Sequence, residues 1–210
     1  MVRTVAVLGA LAEASAWALV AMRRGTVWTI VTPVLGVLGV VTLLVEVPPA
    51  ADRVEIAAAV GVGILAGVVL YLATRVFAYV VRRWDRFATQ SRAIYERRQP
   101  LSRAQAIAVT TFVAAPAEEL FWRGLFQSGM ADVLHGRLGL AAAATTAIFI
   151  VANLPSWNLA IVLGAAVGGA VWSALAWWSG GVVAPLLCHV TWTALMVARP
   201  VVPEAVEVAV

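Results

Sequence analysis

The run Ala115-Pro116-Ala117-Glu118-Glu119-Leu120-Phe121-Trp122-Arg123-Gly124 sets two adjacent carboxylates and an arginine inside an apolar stretch. A carboxylate at the middle of a bilayer costs at least ~2.5 to 3.5 kcal/mol on insertion scales, so ionisable groups kept there are functional by default. On a helix, residues four apart share a face. Glu119 therefore meets Arg123, with the acid N-terminal to the base, which is the better order. Glu118 points ~100° away, and Trp122 occupies its i+4 position. One carboxylate is held and the other is left free. A free, desolvated carboxyl group can work as a general base near neutral pH. Pro116, two residues earlier, removes a backbone donor and is expected to bend the helix and open a pocket beside Glu118. The bland alternative is a buried Glu–Arg clasp that joins helices.

Two further polar groups interrupt apolar runs. His189 lies in Ala184-Pro185-Leu186-Leu187-Cys188-His189-Val190-Thr191-Trp192-Thr193, where His189 and Thr193 share a face. It reads either as a satisfied buried group or as a functional one. Cys188 adjoins it, but neighbours on a helix diverge, so a Cys–His nucleophile pair is not expected. Asn153 ends the run Phe149-Ile150-Val151-Ala152-Asn153-Leu154-Pro155. It could be a helix-end residue, or it could donate a hydrogen bond to a developing oxyanion. Glu13 lies in the first apolar stretch and needs a polar partner on another helix. His135 falls in a turn and is given no role. Arg75 lies near a span end and can snorkel.

The elements that must position these residues are membrane helices. Of the 210 residues, 62% are hydrophobic and 12% are charged, about half the charge of a soluble domain. The expected fold is all-α: one polytopic bundle of about seven transmembrane helices. The candidate spans are 4–22, 27–47, 54–81, 104–122 and beyond, 138–154, 159–179 and 181–198. No span alternates with period two, which argues against a barrel. Arg3, Val5–Ala12 and Ala14-Ser15-Ala16 mimic a signal peptide, yet the apolar run continues to Met22. It is read as a retained first span. Gly63 and Gly67, and Gly164 and Gly168, have the spacing of close helix packing.

All basic residues are arginine; with the heavy use of Ala and Val, this hints at a bacterial, GC-rich origin. The net charge of +4 does not point to nucleic acid, because the arginines gather in one loop. Segment 82–103 holds Arg82, Arg83, Arg86, Arg92, Arg97, Arg98 and Arg103 against Asp85 and Glu96. The positive-inside rule places it and Arg23-Arg24 in the cytoplasm. The N-terminus then lies outside and the tail 199–210 inside. This is the topology of an inner or plasma membrane protein, with the lipid bilayer as its partner. The single cysteine rules out an internal disulfide.

The order of these motifs resembles the CPBP (CAAX protease and bacteriocin-processing, or Abi) intramembrane proteases, whose motifs are EExxxR, FxxxH and HxxxN or HxxxD. Glu118 to Arg123 matches the first motif in full, with an aromatic before Arg123 and Gly124 after it. Phe149 to Asn153 matches the second, with Asn153 where the family has histidine. His189 to Thr193 matches the third, with Thr193 where the family has Asn or Asp. The resemblance covers residues 104–198, the protease-like core. Residues 1–103 are the N-terminal helices with their basic loop. It implies hydrolysis of a peptide bond in a membrane-associated substrate. Glu118 would activate water, Glu119 and Arg123 would support the site, and His189 would be catalytic or on the oxyanion side, assisted by position 193.

With Asn153 for histidine, the metal donors shrink to Glu118, Glu119 and His189, and Glu119 is engaged by Arg123. Zinc normally takes three good protein ligands plus water, so no metal cofactor is expected. A glutamate-only mechanism survives, with Asn153 and His189 holding the oxyanion. Two other readings stay open. One is a catalytically impaired relative that binds a membrane protein, as a scaffold or in bacteriocin immunity; the substitutions at 153 and 193 favour it. The other is a transporter, which would call for inverted repeats that the sequence does not show.

Overall fold

The long apolar runs become helices because a backbone in lipid must satisfy its own hydrogen bonds. In the computed structural model the described residues are 1–81, 83–96 and 101–200, with 92–96 described by their backbone alone. They form eight helices and no strand. Helix α1 is Val2–Ala21, and Ala14-Ser15-Ala16 lies within it. Thr26 and Thr29 then cap each other reciprocally, opening a π-helical turn, Val27–Val31, that leads into α2, Thr32–Val45. Helix α3 is Ile56–Val81 and α4 is Asp85–Glu96. Helix α5 runs without a break over 103–133, opened by a Ser102–Gln105 capping box. Helix α6 is Leu138–Asn153. A short turn, Leu154–Ser156, carries the chain to α7, Leu159–Ser179, whose first amides are capped by Asn158. Helix α8 is Val183–Ala198.

The molecule is a helical membrane bundle. Five stretches are long and apolar enough to cross a membrane: Val2–Ala21, Val27–Val45, Ile56–Val81, Leu138–Ser156 and Leu159–Ser179. The expected count of seven differs at two helices. Helix α8 is apolar but only 16 residues long, and α5 carries Glu118, Glu119 and Arg123 in its middle. Apolar side chains such as Leu11, Leu44, Leu65 and Val76 face outward, while Glu13, Glu119 and Arg123 are buried. This is the inside-out polarity expected when lipid is the solvent.

Helix α5 is the axis of the bundle. Phe121, Trp122 and Leu125 are fully enclosed. Two glycines admit its neighbours. The ring of Phe121 covers Gly9 of α1, and Ala117 lies where a side chain on Gly39 of α2 would stand. Two π-helical stretches, Thr110–Ala114 and Leu120–Phe126, flank the Pro116 turn. Pro116 lacks the amide that a regular helix needs at that point, and wider turns absorb such a defect without ending the helix. The expected bend is thus a change of winding that flanks both glutamates.

The two glycine pairs behave differently. Gly63 and Gly67 press α3 onto the backbone of Ala184 and Cys188 in α8, as their spacing predicts. Gly164 meets nothing nearer than Trp192 at 4.0 Å, and Gly168 is covered by Trp172 of its own helix. The second pair is therefore not a helix contact; both residues line a cavity.

The basic loop also departs from expectation, since residues 85–96 form a helix. Phe87, Ala88 and Ser91 of α4 are buried, with Phe87 edge-on to Phe77 of α3. Gln90 of α4 donates through Nε2 to Trp157 O and accepts from Leu159 N at 2.8 Å. The polar composition of this segment hides a buried face of a few residues. Arg82, Arg97, Arg98 and the side chain of Arg92 lie outside the described residues, as does the tail beyond residue 200.

Candidate functional site

Helix α5 brings its two glutamates to different surroundings. Glu119 is fully buried and makes two contacts through one oxygen. Arg123 Nη1 donates to Glu119 Oε1 at 3.2 Å, as the i, i+4 spacing predicts. His189 Nδ1 of α8 donates to the same oxygen at 2.8 Å, a link across 70 residues. Arg123 is fixed further by donating through Nη2 to Gly169 O at 3.2 Å. Its guanidinium also lies over the rings of Phe149 and Trp172, a favourable place for a desolvated cation.

The Glu119 contact settles which nitrogen of His189 carries hydrogen. A carboxylate only accepts, so Nδ1 is the N–H and Nε2 of the neutral ring is an acceptor. The imidazole stacks on Trp172, with ring centroids 3.7 Å apart and planes at 15°, which fixes its orientation. Nε2 then lies 4.0 Å from Glu118 Oε2. Glu118 has no hydrogen bond among the described residues. Carboxylate and imidazole stand side by side with one acceptor atom each turned to the same space.

That space is a cavity of about 530 Å³. Its walls are mostly apolar and come from α3, α4, α5, α6, α7 and α8, with Trp17 and Trp28 also contributing. Glu118, Asn153, His189 and Thr193 all line it. The buried Thr193 Oγ1 has no hydrogen-bond partner among the described residues. Glu119 and Arg123 do not line this cavity; they stand behind His189. A smaller cavity of about 120 Å³ lies on the other side of Arg123 and is lined by none of these four.

Asn153 is placed differently from what the sequence suggests. Its Nδ2 donates to Phe149 O at 2.9 Å and to Glu13 Oε1 at 3.4 Å. Both amide hydrogens are thus directed at protein acceptors rather than at an oxyanion. Glu13 Oε2 also accepts from Trp122 Nε1 at 2.7 Å. The missing partners of Glu13 are therefore Trp122 and Asn153, and Glu13 abuts the site although sequence reasoning gave it none. A buried acid in the first span was the only available signal.

Among the described residues no group of three or more His, Cys, Asp or Glu is arranged to hold a metal ion. Glu118 and His189 Nε2 are two donors where zinc takes three. Glu119 is committed to Arg123 and His189, and the Asn153 amide nitrogen is not a ligand. Cys188 is free and buried.

Fold and site together define a multi-pass helical membrane protein with a carboxylate–histidine pair on the wall of an internal cavity. Residues 100–195 match a family model described as Rce1-like, type II CAAX prenyl endopeptidase Rce1-like, so this stretch belongs to that family, the CPBP/CAAX proteases. At family level it is an intramembrane endopeptidase domain, with a membrane-associated substrate. No curated protein and no solved structure matches the chain.

Proposed function

We propose that this protein is a glutamate-dependent intramembrane endopeptidase, and that Glu118 activates the attacking water. One observation carries the reading. Glu118 Oε2 and His189 Nε2 lie 4.0 Å apart on the wall of one cavity, with His189 held from behind by Glu119 and Arg123. A water between them donates one hydrogen to each. Glu118 takes the first proton as the water oxygen bonds to the scissile carbonyl carbon. The carbonyl π electrons move to its oxygen, and the Thr193 hydroxyl donates to that oxyanion. On collapse the C–N bond breaks, and the leaving nitrogen takes the proton from Glu118. A carboxylic acid and an amine result. General acid–base help of this kind is typically worth about 10² to 10⁴ in rate.

Glu119 and Arg123 act through His189. Glu119 fixes the imidazole tautomer, and Arg123 holds Glu119 in place. The substrate is a membrane-associated peptide or protein. The site is in a cell membrane, inner or plasma, with segment 82–103 on the cytoplasmic side by its arginines.

A second reading rests on Asn153. Both its amide hydrogens are spent inside the protein, and position 193 is threonine. A chain so altered could bind a membrane protein without cleaving it, as a scaffold or immunity protein. Cleavage of quenched, membrane-anchored peptides in liposomes separates the two. The endopeptidase reading expects cleavage by the wild type and none by Glu118→Ala. Cleavage by Asn153→His alone would make the natural protein a disabled protease.

A further inference from the structure

The mechanism above leaves one buried acid unused. Glu13 of α1 is fully buried, and burying a carboxyl group in a membrane protein is costly. Its partners are not cations. They are two neutral donors from different helices, Trp122 Nε1 at 2.7 Å and Asn153 Nδ2 at 3.4 Å. Trp122 is itself enclosed by Phe121, Phe126 and Phe149, so the acid is anchored to an immobile ring. From that anchor it takes one hydrogen of Asn153, while Phe149 O takes the other at 2.9 Å. Both neighbours of that nitrogen are acceptors, which fixes the amide's orientation by chemistry. Oδ1 is the remaining polar atom of Asn153. It has no partner among the described residues, and Asn153 lines the cavity.

An acceptor in this place has a use. A peptide that enters an apolar cavity brings backbone N–H groups, and an unpaired one is costly there. The two hydrogens of the attacking water already go to Glu118 and His189. Two other hydroxyls on the wall are engaged: Thr110 donates to Ala106 O, and Thr74 donates to Leu70 O and accepts from Trp192 Nε1. We infer that Glu13 is a positioning residue that locks Asn153 with its carbonyl oxygen towards the cavity, where it accepts a backbone N–H of the substrate next to the scissile bond. The inference rests on the endopeptidase reading and assigns Asn153 to substrate alignment in place of oxyanion binding.

The test uses the full chain in liposomes and peptide substrates in which each backbone amide around the scissile bond is replaced in turn by an ester. An ester has no N–H to donate. Glu13→Gln keeps the side-chain shape but leaves one acceptor oxygen for two donor partners, so the Trp122 and Asn153 bonds cannot both form. Asn153→Ala removes the aligned group. On the all-amide peptide each variant is expected to lower kcat/KM by about tenfold, the usual consequence of a misaligned buried hydrogen bond. The double variant is expected to lose no more than Asn153→Ala. At one ester position the ratio of wild type to either variant falls to about one.

A ratio that stays the same for every ester, or full additivity of the two substitutions, overturns the inference. Should wild type cleave nothing, the endopeptidase reading falls by itself, and binding of the same peptides replaces rate as the readout. The Asn153 side-chain amide resonances, read by NMR in nanodiscs, provide an independent check. They are expected to shift in Glu13→Gln, and resonances that do not move sink the proposal.

Discussion

Neighbouring glutamates on α5 meet opposite conditions. Glu119 is held by Arg123 and His189, and the Arg123 guanidinium lies in turn over two aromatic rings. Glu118, one residue earlier, faces a cavity, with its Oε2 4.0 Å from His189 Nε2. Residue type is the same, yet Glu119 is wholly buried between two partners, whereas Glu118 keeps some exposure and has no hydrogen bond among the described residues. What separates them is the ~100° rotation between consecutive helix positions, which sends one to a cation and the other to open space.

The largest effect that would break this comparison is on rate at Glu118. Glu118→Gln is expected to lower kcat by about 10² to 10⁴, measured on membrane-anchored peptides. A smaller loss would mean that His189 alone suffices as base. Next comes the structural side. Arg123→Met leaves Glu119 as a buried charge without its cation, and breaking such a pair costs about 3–5 kcal/mol. Thermal unfolding in detergent should show a clear drop. Asn153→His sharpens the picture from the α6 side. An imidazole can donate to Glu13 and still present an acceptor to the cavity, so cleavage should persist within about tenfold, read from the same peptide assay.

Two glycine substitutions give the smallest effects, and they differ in sign. Gly67→Ala puts a methyl 2.6 Å from Cys188 O, an overpacking worth about 1–3 kcal/mol of stability. Gly164→Ala meets nothing nearer than 4.0 Å. It should stabilise by about 0.5–1 kcal/mol through helix propensity. Unfolding of the two variants side by side checks both.

What was legible in the sequence follows the range of the contact. The Glu119–Arg123 pair could be read because helical periodicity fixes it within four residues. The membrane class was legible from composition, and the all-α fold from the length of the apolar runs. The bond from His189 to Glu119 joins residues 70 apart, and Glu13 reaches Trp122 and Asn153 across 109 and 140 residues. No local pattern encodes those distances. Gly63 and Gly164 share one spacing, yet only the first pair lies at a helix contact, because spacing does not say which helix is opposite. The helix at 85–96 was hidden by its arginines, although Phe87 and Ser91 bury one side of it.

The comparison of the two glutamates is tested most directly by measuring cleavage rate and thermal stability together for Glu118→Gln and Glu119→Gln in the same liposomes. The account predicts that Glu118→Gln loses cleavage and keeps the wild-type unfolding temperature, whereas Glu119→Gln lowers that temperature and loses cleavage with it. Wild-type rate in Glu118→Gln, or a fall in its stability as large as that of Glu119→Gln, would contradict the assignment of Glu118 to the reaction.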